Sequence, residues 1–390
     1  MALTDVVPVR CSILRGGTSK AVFFLANDLP PGRPAIEPLL LSVFGSPDIR
    51  QIDGLGGATS QTSKCAIIGP PSRPDADVDY TFAQVSVGEP TVDWGGNCGN
   101  ISAAVGPFAI NQGFVRAVEP VTTVRVHNTN TSKIILEHVP VRGGRAAESG
   151  DYAVPGVPGT SSRILMEFGD PAGSVTGRLL PTGNARDRIE LADGRSFEVS
   201  IVDAANPVVF LTAESLGLGG TELPLDIEAD TAATDVLEEV RSIVAERIGI
   251  VADRRTATAT SPGLPKVGFV AAPQAYRTTE GVEVAADAVD LTGRLMSMQT
   301  AHRSYMATGA IATAAAAFTE GTVVHALVRP LAERPIAESI RIGHPYGVME
   351  AVVNGDGPAA LPTIRGVAIG RTARHILDGQ VWVPRHLVEG

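Results

Sequence analysis

The sequence predicts an α+β fold made of two similar domains. Strand-like segments dominate the chain, helical segments are few, and the two do not alternate as in a doubly wound sheet. A faint internal repeat relates the two halves of the 390 residues. We therefore expect one domain over residues 1–186 and a second over residues 187–390, and the last strands can cross back to the first domain.

Alternation of polar and apolar residues predicts the strands, and turn dipeptides predict where they end. Asp193-Gly194 is a strong two-residue hairpin signal. The segments predicted in this way are residues 78–87, two strands over 121–141 with a turn at 128–130, a hairpin over 188–202, and strands over 364–369 and 381–383 with a turn at Asp378-Gly379.

Helices are expected in three places. Apolar residues at helical spacing predict a helix from Thr231 to Ile248, with Gly249 placed to end it. Two alanine-rich segments, residues 101–110 and 310–318, also have helical character. Each begins within two residues of a glycine, so the two segments have the same local pattern.

The internal repeat is clearest around these two alanine-rich segments. Gly99–Phe108 and Gly309–Phe318 are identical at four of ten positions. Shorter matches precede them in the same order, Val22–Phe24 with Val209–Leu211 and Thr59–Lys64 with Thr260–Lys266. A protein with two such halves is expected to bind its ligand in the cleft between them.

Composition excludes several classes of protein. A net charge of −10 argues against nucleic acid as the main partner, and three cysteines in a chain of this length do not form a disulfide framework. Seven scattered histidines lack metal-ligand spacing. No apolar run reaches the roughly 20 residues that span a bilayer. We expect a soluble cytoplasmic protein without a metal or membrane partner, and the base rate favours a homodimer.

A cysteine lies in a glycine-rich segment, Gly95–Asn100, directly before a predicted helix. Glycines let a ligand approach the backbone, and the first amides of a helix attract anions. The same field favours the reactive thiolate of Cys98. A buried, inert cysteine is the alternative interpretation, and it is the preferred one for Cys11 and Cys65, which lack these surroundings.

A second glycine-rich loop, Asp53–Lys64, ends in a lysine. It matches neither the P-loop nor the dinucleotide-binding pattern. Most lysines are solvated, but Lys64 leads straight into the apolar segment Cys65–Ile68. A desolvated lysine has a lowered pKa and can act as a base near neutral pH.

Other polar clusters are candidates to hold an anion, although each is equally consistent with a solvated surface. Arg15–Lys20 combines glycines, hydroxyls and cations before a strand, which suits a carboxylate or phosphate. His302-Arg303 precedes the second helix start at Thr308-Gly309. Arg341, His344 and Tyr346 form a third polar patch.

Taken together, these motifs resemble the PrpF family, which comprises methylaconitate, aconitate and methylitaconate isomerases and oxalomesaconate tautomerases. The resemblance covers essentially the whole chain in the right order. The motifs that carry it are Arg15–Lys20, Asp53–Lys64, Asn97–Asn100, Leu180–Asn184, Asn206-Pro207, Thr308-Gly309 and Gly343–Pro345.

This resemblance implies the diaminopimelate-epimerase-like fold, with two pseudosymmetric domains that each curl a mixed sheet around a central helix. It implies a cofactor-free isomerase or tautomerase of an unsaturated di- or tricarboxylate, with Lys64 and Cys98 as catalytic residues. The candidates to bind substrate are Arg15, Thr18, Ser19, Lys20, Ser60, Asn97, Gly99, Asn100, Lys266, His302, Arg303, Thr308, Gly309 and Ala310.

One departure from the wider superfamily concerns the second helix start. Racemases and epimerases of this fold use two thiols, one before each central helix, whereas this chain has Cys98 and Thr308. Because Thr308 has a hydroxyl where the second thiol would stand, inversion of a stereocentre by a pair of thiols is disfavoured. The alternatives are a racemase or epimerase, a non-catalytic accessory protein for a dehydratase, and a cysteine hydrolase using Cys98 with His302.

Overall fold

The structure, a computed structural model, describes residues 5–328, 339–356 and 363–389. Contacts divide the chain into two compact units. The first comprises the residues up to Trp94, Cys98–Met166 and those from Arg371 onward, and the second comprises Gly95–Asn97 and Glu167–Gly370. The predicted boundary between residues 186 and 187 lies inside the second unit.

Strands outnumber helices in the described residues, in agreement with the predicted α+β class. The strands are β1 Val6–Gly16, β2 Ser19–Leu25, β3 Lys64–Gly69, β4 Val78–Val85, β5 Val92–Asp93, β6 Val121–Asn128, β7 Lys133–Arg142, β8 Arg145–Ala146, β9 Tyr152–Ala153, β10 Thr160–Ser161, β11 Ile164–Gly169, β12 Asp187–Glu190, β13 Ser196–Ala204, β14 Asn206–Thr212, β15 Lys266–Ala271, β16 Tyr276–Arg277, β17 Glu283–Val284, β18 Leu291–Ser297, β19 Thr300–Ala301, β20 Ser339–His344, β21 Gly347–Asp356, β22 Thr363–Arg371 and β23 Ala373–Pro384. The α-helices are α1 Arg33–Phe44, α2 Gly99–Ser102, α3 Val105–Asn111, α4 Pro224–Ala229, α5 Thr231–Arg247, α6 Ala257–Thr260, α7 Ala307–Ala317, α8 Val323–Leu327 and α9 His386–Glu389.

Both units pair their strands in the same order, which confirms the predicted repeat. In the first unit β1 is antiparallel to β2, β2 is parallel to β3, β3 is antiparallel to β4, and β4 is parallel to β6. In the second unit β13, β14, β15, β18 and β20 repeat this series of pairings. Lys64 and Lys266 each open the third strand of their series.

Each unit has its own aliphatic core. In the first, Leu39, Leu40 and Phe44 of α1 pack with β-strand residues that include Cys11 and Cys65. Both cysteines are therefore packing residues, as the sequence predicted. In the second, the apolar face of α5 packs against β13, β14 and β15.

The first alanine-rich segment is not one helix, whereas the second is. The first divides at Ala103-Ala104 into α2 and α3, because Pro107 lacks an amide hydrogen and Gly106 donates its own to Glu137 Oε2 at 2.8 Å. In the second unit α7 is continuous and packs against β13, β14, β20 and β21. The predicted α5 is confirmed, and Gly249 follows it with a φ of 76°.

The predicted turn at Asp378-Gly379 is wrong. Strand β23 runs through both residues and pairs with β1 along its length. Asp378 accepts hydrogen bonds from Ser12 Oγ on β1 and from His375 Nε2 three residues earlier. The Asp378 carboxylate, which favours a turn when it bonds its own backbone, instead accepts hydrogen bonds from side chains within the sheet. The other predicted strands are confirmed.

Candidate active site

Lys64 is a buried lysine at the start of β3. Its side chain is 7% exposed, and its Nζ lies 5.3 Å from the centre of the Phe82 ring. Nζ donates a hydrogen bond of 2.5 Å to Gln84 Oε1 on the neighbouring strand. Burial lowers the pKa of Lys64, while Cys98 and Asp93 act in the opposite direction. The predicted desolvation of this lysine is therefore confirmed.

Gln84, the acceptor of this bond, is also buried. Its Nε2 donates to the backbone carbonyls of Ser60 and Ser63 at 3.1 and 3.0 Å, which fixes the orientation of the amide. The sequence prediction missed Gln84, because only the register of β3 and β4 places it opposite Lys64.

The glycine-rich loop before Lys64 is held by another buried amide. Gln51, with a φ of 47°, accepts hydrogen bonds at 2.7 Å from the Ala58 amide and from Ser63 Oγ. A side chain at Gly56 would overlap the Gln51 amide. This part of the loop is therefore a fixed support for the lysine.

Cys98 is a half-buried free thiol at the N-terminus of α2. Gly99 and Asn100 form the first turn, where amides have no partner within the helix. The amide and the hydroxyl of Ser102 both donate hydrogen bonds to the Cys98 carbonyl, at 2.9 and 3.1 Å. The thiol acts electrostatically on Lys64, so the two predicted catalytic groups belong to one neighbourhood of the first unit.

The turn between β1 and β2 lies directly against the start of α2. A side chain at Gly16 would overlap the Asn100 backbone, and one at Gly17 would overlap the Asn100 amide. Asn100 Nδ2 donates to Thr18 Oγ1 at 3.2 Å, and Arg371 Nε donates to Asn100 Oδ1 at 3.1 Å. The paired glycines are therefore required by close approach.

Two guanidinium groups surround this turn, the half-buried one of Arg15 and the buried one of Arg371. Arg15 Nη1 donates to the carbonyls of Gly17 and Thr372 at 3.0 and 2.8 Å. Arg371, which the sequence prediction missed, is 3% exposed, and burial lowers its pKa to about 10. Ser19 is buried beside the turn, and Lys20 follows it on β2. This concentration of positive charge suits a carboxylate.

The second unit offers a different helix start. Thr308 and Gly309 lie in the first turn of α7, and the Ala310 amide is already bonded to the Met306 carbonyl at 2.8 Å. The backbone amide of Ala310, a predicted substrate-binding residue, is thus engaged within the helix. Thr308 is 2% exposed and takes a hydrogen bond of 3.2 Å from Asn206 Nδ2.

Asn206 also holds the backbone of Asn97 within the second unit. Its Oδ1 accepts from the Asn97 amide at 3.2 Å, and its Nδ2 donates to the Asn97 carbonyl at 2.9 Å. A side chain at Gly96 would lie 3.0 Å from Asn206 Oδ1. Asn206 belongs to a motif that carried the family resemblance, but it was not selected as a site residue.

The other candidates in the second unit have protein partners. Lys266 Nζ donates to the Gly263 carbonyl at 3.3 Å, and the buried His302 accepts from the Ser304 amide at 3.2 Å. Arg303 forms an ion pair of 3.0 Å with Glu228. Their roles in substrate binding stay predictions.

The described parts of the chain contain no group of three or more histidine, cysteine, aspartate or glutamate residues that could hold a metal ion. Among the same residues, no helix is long and apolar enough to cross a membrane.

Comparison with known proteins gives matches over nearly the whole chain. The family model described as PrpF protein matches residues 6–384. The 3-methylitaconate isomerase of Eubacterium barkeri is 45% identical over 98% of this chain and 99% of its own. The 2-methyl-aconitate isomerase of Shewanella oneidensis is 40% identical (97% and 98%), and the 4-oxalomesaconate tautomerase of Pseudomonas putida is 39% identical (97% and 96%).

Solved structures give the same result for the fold. A crystal structure of methylitaconate-delta-isomerase superposes with a TM-score of 0.77 at 44% identity, covering 98% of this chain and 97% of the other. A hydroxyproline epimerase from Agrobacterium vitis superposes with a TM-score of 0.57 at 11% identity, covering 100% and 96%. The fold is the diaminopimelate-epimerase-like fold that the sequence predicted.

Proposed function

Because the chain belongs to the PrpF family and is an isomerase, we propose that it moves a proton and a double bond within an unsaturated di- or tricarboxylate, without a cofactor. Aconitate, methylaconitate, methylitaconate and oxalomesaconate are the candidate substrates. The three relatives described above are named for acids of this kind.

The observation that carries this proposal is the state of Lys64. A base for a carbon acid must be neutral at working pH and must lie within reach of the substrate. Burial favours the neutral amine of Lys64, and its hydrogen-bond partner Gln84 carries no charge. Cys98 supplies a second proton-carrying group in the same unit.

In the proposed reaction, the amine of Lys64 removes a proton from the allylic carbon and becomes an ammonium. The electron pair of the broken C–H bond enters the conjugated system and gives a dienolate. The amides of Gly99 and Asn100 stabilise the negative charge that develops on oxygen. Lys64 then returns its proton to the other end of the allyl system, or Cys98 donates one and its thiolate is reprotonated as the Lys64 ammonium gives up the proton it took, so no atom is gained or lost.

Substrate carboxylates are proposed to bind near the turn of β1 and β2. Half-buried Arg15 and buried Arg371 bring two positive charges to that turn, and the Ser19 hydroxyl is buried beside it. The contributions of Lys266, His302 and Thr308 in the second unit stay predictions, as does the predicted cleft. Thr308 argues against a racemase, because a hydroxyl is a poor base near neutral pH.

The test is proton exchange followed by NMR. Purified protein is incubated in deuterated buffer with each of the four acids, and we expect deuterium to enter the allylic position of at least one as the double bond moves. Retention of the original hydrogen in part of the product would indicate that Lys64 performs both transfers. Complete replacement by deuterium would favour return of the proton by Cys98.

Absence of exchange with all four acids would contradict the proposal. It would favour the accessory-protein alternative if the same acids still bind. Calorimetric titration with each acid makes that distinction, because binding needs the carboxylate site but not the base.

A further inference from the structure

We propose that Gln84 is a positioning residue for catalysis, because its fixed amide presents an uncharged oxygen to Lys64. This inference rests on the proposed function, in which Lys64 is the base. Gln84 is 6% exposed and faces the lysine directly across the antiparallel pair of β3 and β4. It belongs to no motif that carried the family resemblance.

The orientation of the Gln84 amide follows from its other contacts. Both Ser60 and Ser63 present carbonyl oxygens to Nε2, and a carbonyl accepts hydrogen bonds only from donors. A flipped amide would bring oxygen against these two carbonyls and would bring its NH₂ against the lysine. The loop backbone therefore ensures that Oε1 faces Nζ.

An amide oxygen accepts a hydrogen bond from either form of the lysine. It can hold the neutral amine in position before proton transfer and the ammonium afterwards. A carboxylate at the same place would favour the ammonium strongly, because an opposite charge at hydrogen-bond distance raises the pKa of a lysine. Gln84 thus orients the lysine without favouring its protonated form.

On the sheet, Gln84 lies between Lys64 and the carboxylate residue Asp93. Lys64, Gln84 and Asp93 lie in one row across β3, β4 and β5, since Gln84 pairs with Lys64 on one side and with Asp93 on the other. Two strand spacings of about 4.8 Å separate the lysine from the carboxylate. In this row the strand that carries the glutamine lies between the strand of the lysine and the strand of the carboxylate.

The groups around Lys64 come from several elements. Gln84 and the Phe82 ring lie beside it on β4. Asp93 on β5 and Cys98 at the start of α2 act on it electrostatically. Asp93 and Cys98 are the titratable groups that act on its ionisation, and both raise the pKa of Lys64 against the effect of burial. A further carboxylate at position 84 would add to them.

The experiment compares Gln84→Glu with Gln84→Met in protein labelled with [ε-¹³C]lysine. The chain has four lysines, Lys20, Lys64, Lys133 and Lys266, so each ionisation can be followed by NMR. Lys64→Met assigns the signal of interest. Gln380→Glu, an exposed position on β23, is the matched control for added charge.

We expect Gln84→Glu to move the titration of Lys64 to higher pH and to lower kcat/KM at pH 7 about tenfold or more, with recovery at alkaline pH. Gln84→Met should not raise the pKa of Lys64, and it should lower kcat at every pH because the amine loses its orientation. The substrate is the acid that exchanges fastest with the wild-type protein. Gln380→Glu should leave both profiles unchanged.

The proposal is overturned if the Lys64 titration in Gln84→Glu coincides with that of the wild type. It is also overturned if folded Gln84→Met keeps the wild-type kcat, which decides the matter should Gln84→Glu not fold. A shifted titration with an unshifted rate profile would instead overturn the role of Lys64 as base. That outcome separates the proposed function from the positioning role of Gln84.

Discussion

The two units repeat one pattern of strand pairing, but they surround equivalent lysines differently. Lys64 is buried, bonded to a glutamine amide, and affected by a thiol and a carboxylate. Lys266 is half-buried and donates to the backbone carbonyl of Gly263. The shared strand pattern therefore sets the position of each lysine at the start of its strand. The residues around the lysine determine how far its pKa is lowered, and hence whether it can act as a base.

The helix starts differ in the same sense. The first unit has the thiol of Cys98 before a short helix, and the second has the hydroxyl of Thr308 in the first turn of a long one. A thiol exchanges protons near neutral pH and a threonine hydroxyl does not. The contrast supports the proposal that the acid–base groups lie in the first unit.

The largest test of this contrast is the pair Lys64→Met and Lys266→Met. We expect Lys64→Met to lower kcat by about 10²–10⁴-fold, the usual contribution of general acid–base catalysis. Lys266→Met should mainly affect KM, because the contrast assigns it no proton transfer. Steady-state kinetics on the acid found by deuterium exchange measures both.

Thermal unfolding provides the control for Lys64→Met. A buried lysine with a lowered pKa makes folding less favourable as pH falls, since the unfolded chain binds the proton more readily. Methionine does not titrate, so the variant should keep or raise the Tm, most clearly at acidic pH. Equal kinetic losses in the two lysine variants would contradict the assignment of chemistry to one unit.

A second comparison concerns the asparagine that fastens each helix start. In the first unit the Asn100 side chain bonds the side chains of Thr18 and Arg371. In the second, Asn206 bonds both backbone groups of Asn97 as well as Thr308. Backbone groups left without partners inside a protein are costly, so the second asparagine should matter more for stability.

Asn206→Ala is therefore expected to destabilise the second unit by about 1–3 kcal/mol for each Asn97 backbone group that loses its partner. Hydrogen exchange of the Asn97 amide and the Tm are the measurements. Asn354→Ala, at an exposed position on β21, is the control and should change neither. Unaltered protection of the Asn97 amide in Asn206→Ala would show that Asn206 does not hold this segment.

Most of the fold was predictable because its signals are local. Alternation gave β4 and β6, helical spacing gave α5, and the repeat anticipated the shared strand pairing. The error at Asp378-Gly379 has a non-local cause, since pairing with β1 overrides the tendency of that dipeptide to turn. Only knowledge of the partner strand could have corrected it.

The candidate site was predictable where chemistry resides in a motif. Lys64 and Cys98 were selected as candidates because each lies in a glycine-rich segment, Lys64 at the end of one and Cys98 within the other. Gln84 and Arg371 were missed because neither lies in a recognisable motif. Gln84 lies beside Lys64 through the register of β3 and β4, and Arg371 contacts Asn100 although the two are far apart in sequence. Side chains that support a reactive group are in this case set by tertiary structure.

The third comparison sets the divided first helix against the continuous α7. The carboxyl of Glu137 is fully buried and accepts the amide of Gly106 at the division, whereas in α7 the amide of Ala310 bonds within the helix. Burial raises the pKa of Glu137 well above its usual value of 4.5. This proton contributes its full stabilisation below pH 4.5, and the contribution is lost as pH rises through the raised pKa.

Glu137→Gln should therefore stabilise the protein by a small amount that grows with pH. Glutamine keeps an acceptor for the Gly106 amide but never bears a charge. The variant therefore avoids the cost of holding an ionisable carboxyl in the core, either as a buried charge or as an acid that stays protonated above its usual pKa. Tm measured from pH 5 to 9 should show the gap to wild type widening with pH. A gap that stays constant from pH 5 to 9 would mean that Glu137 does not change its protonation on unfolding in this range.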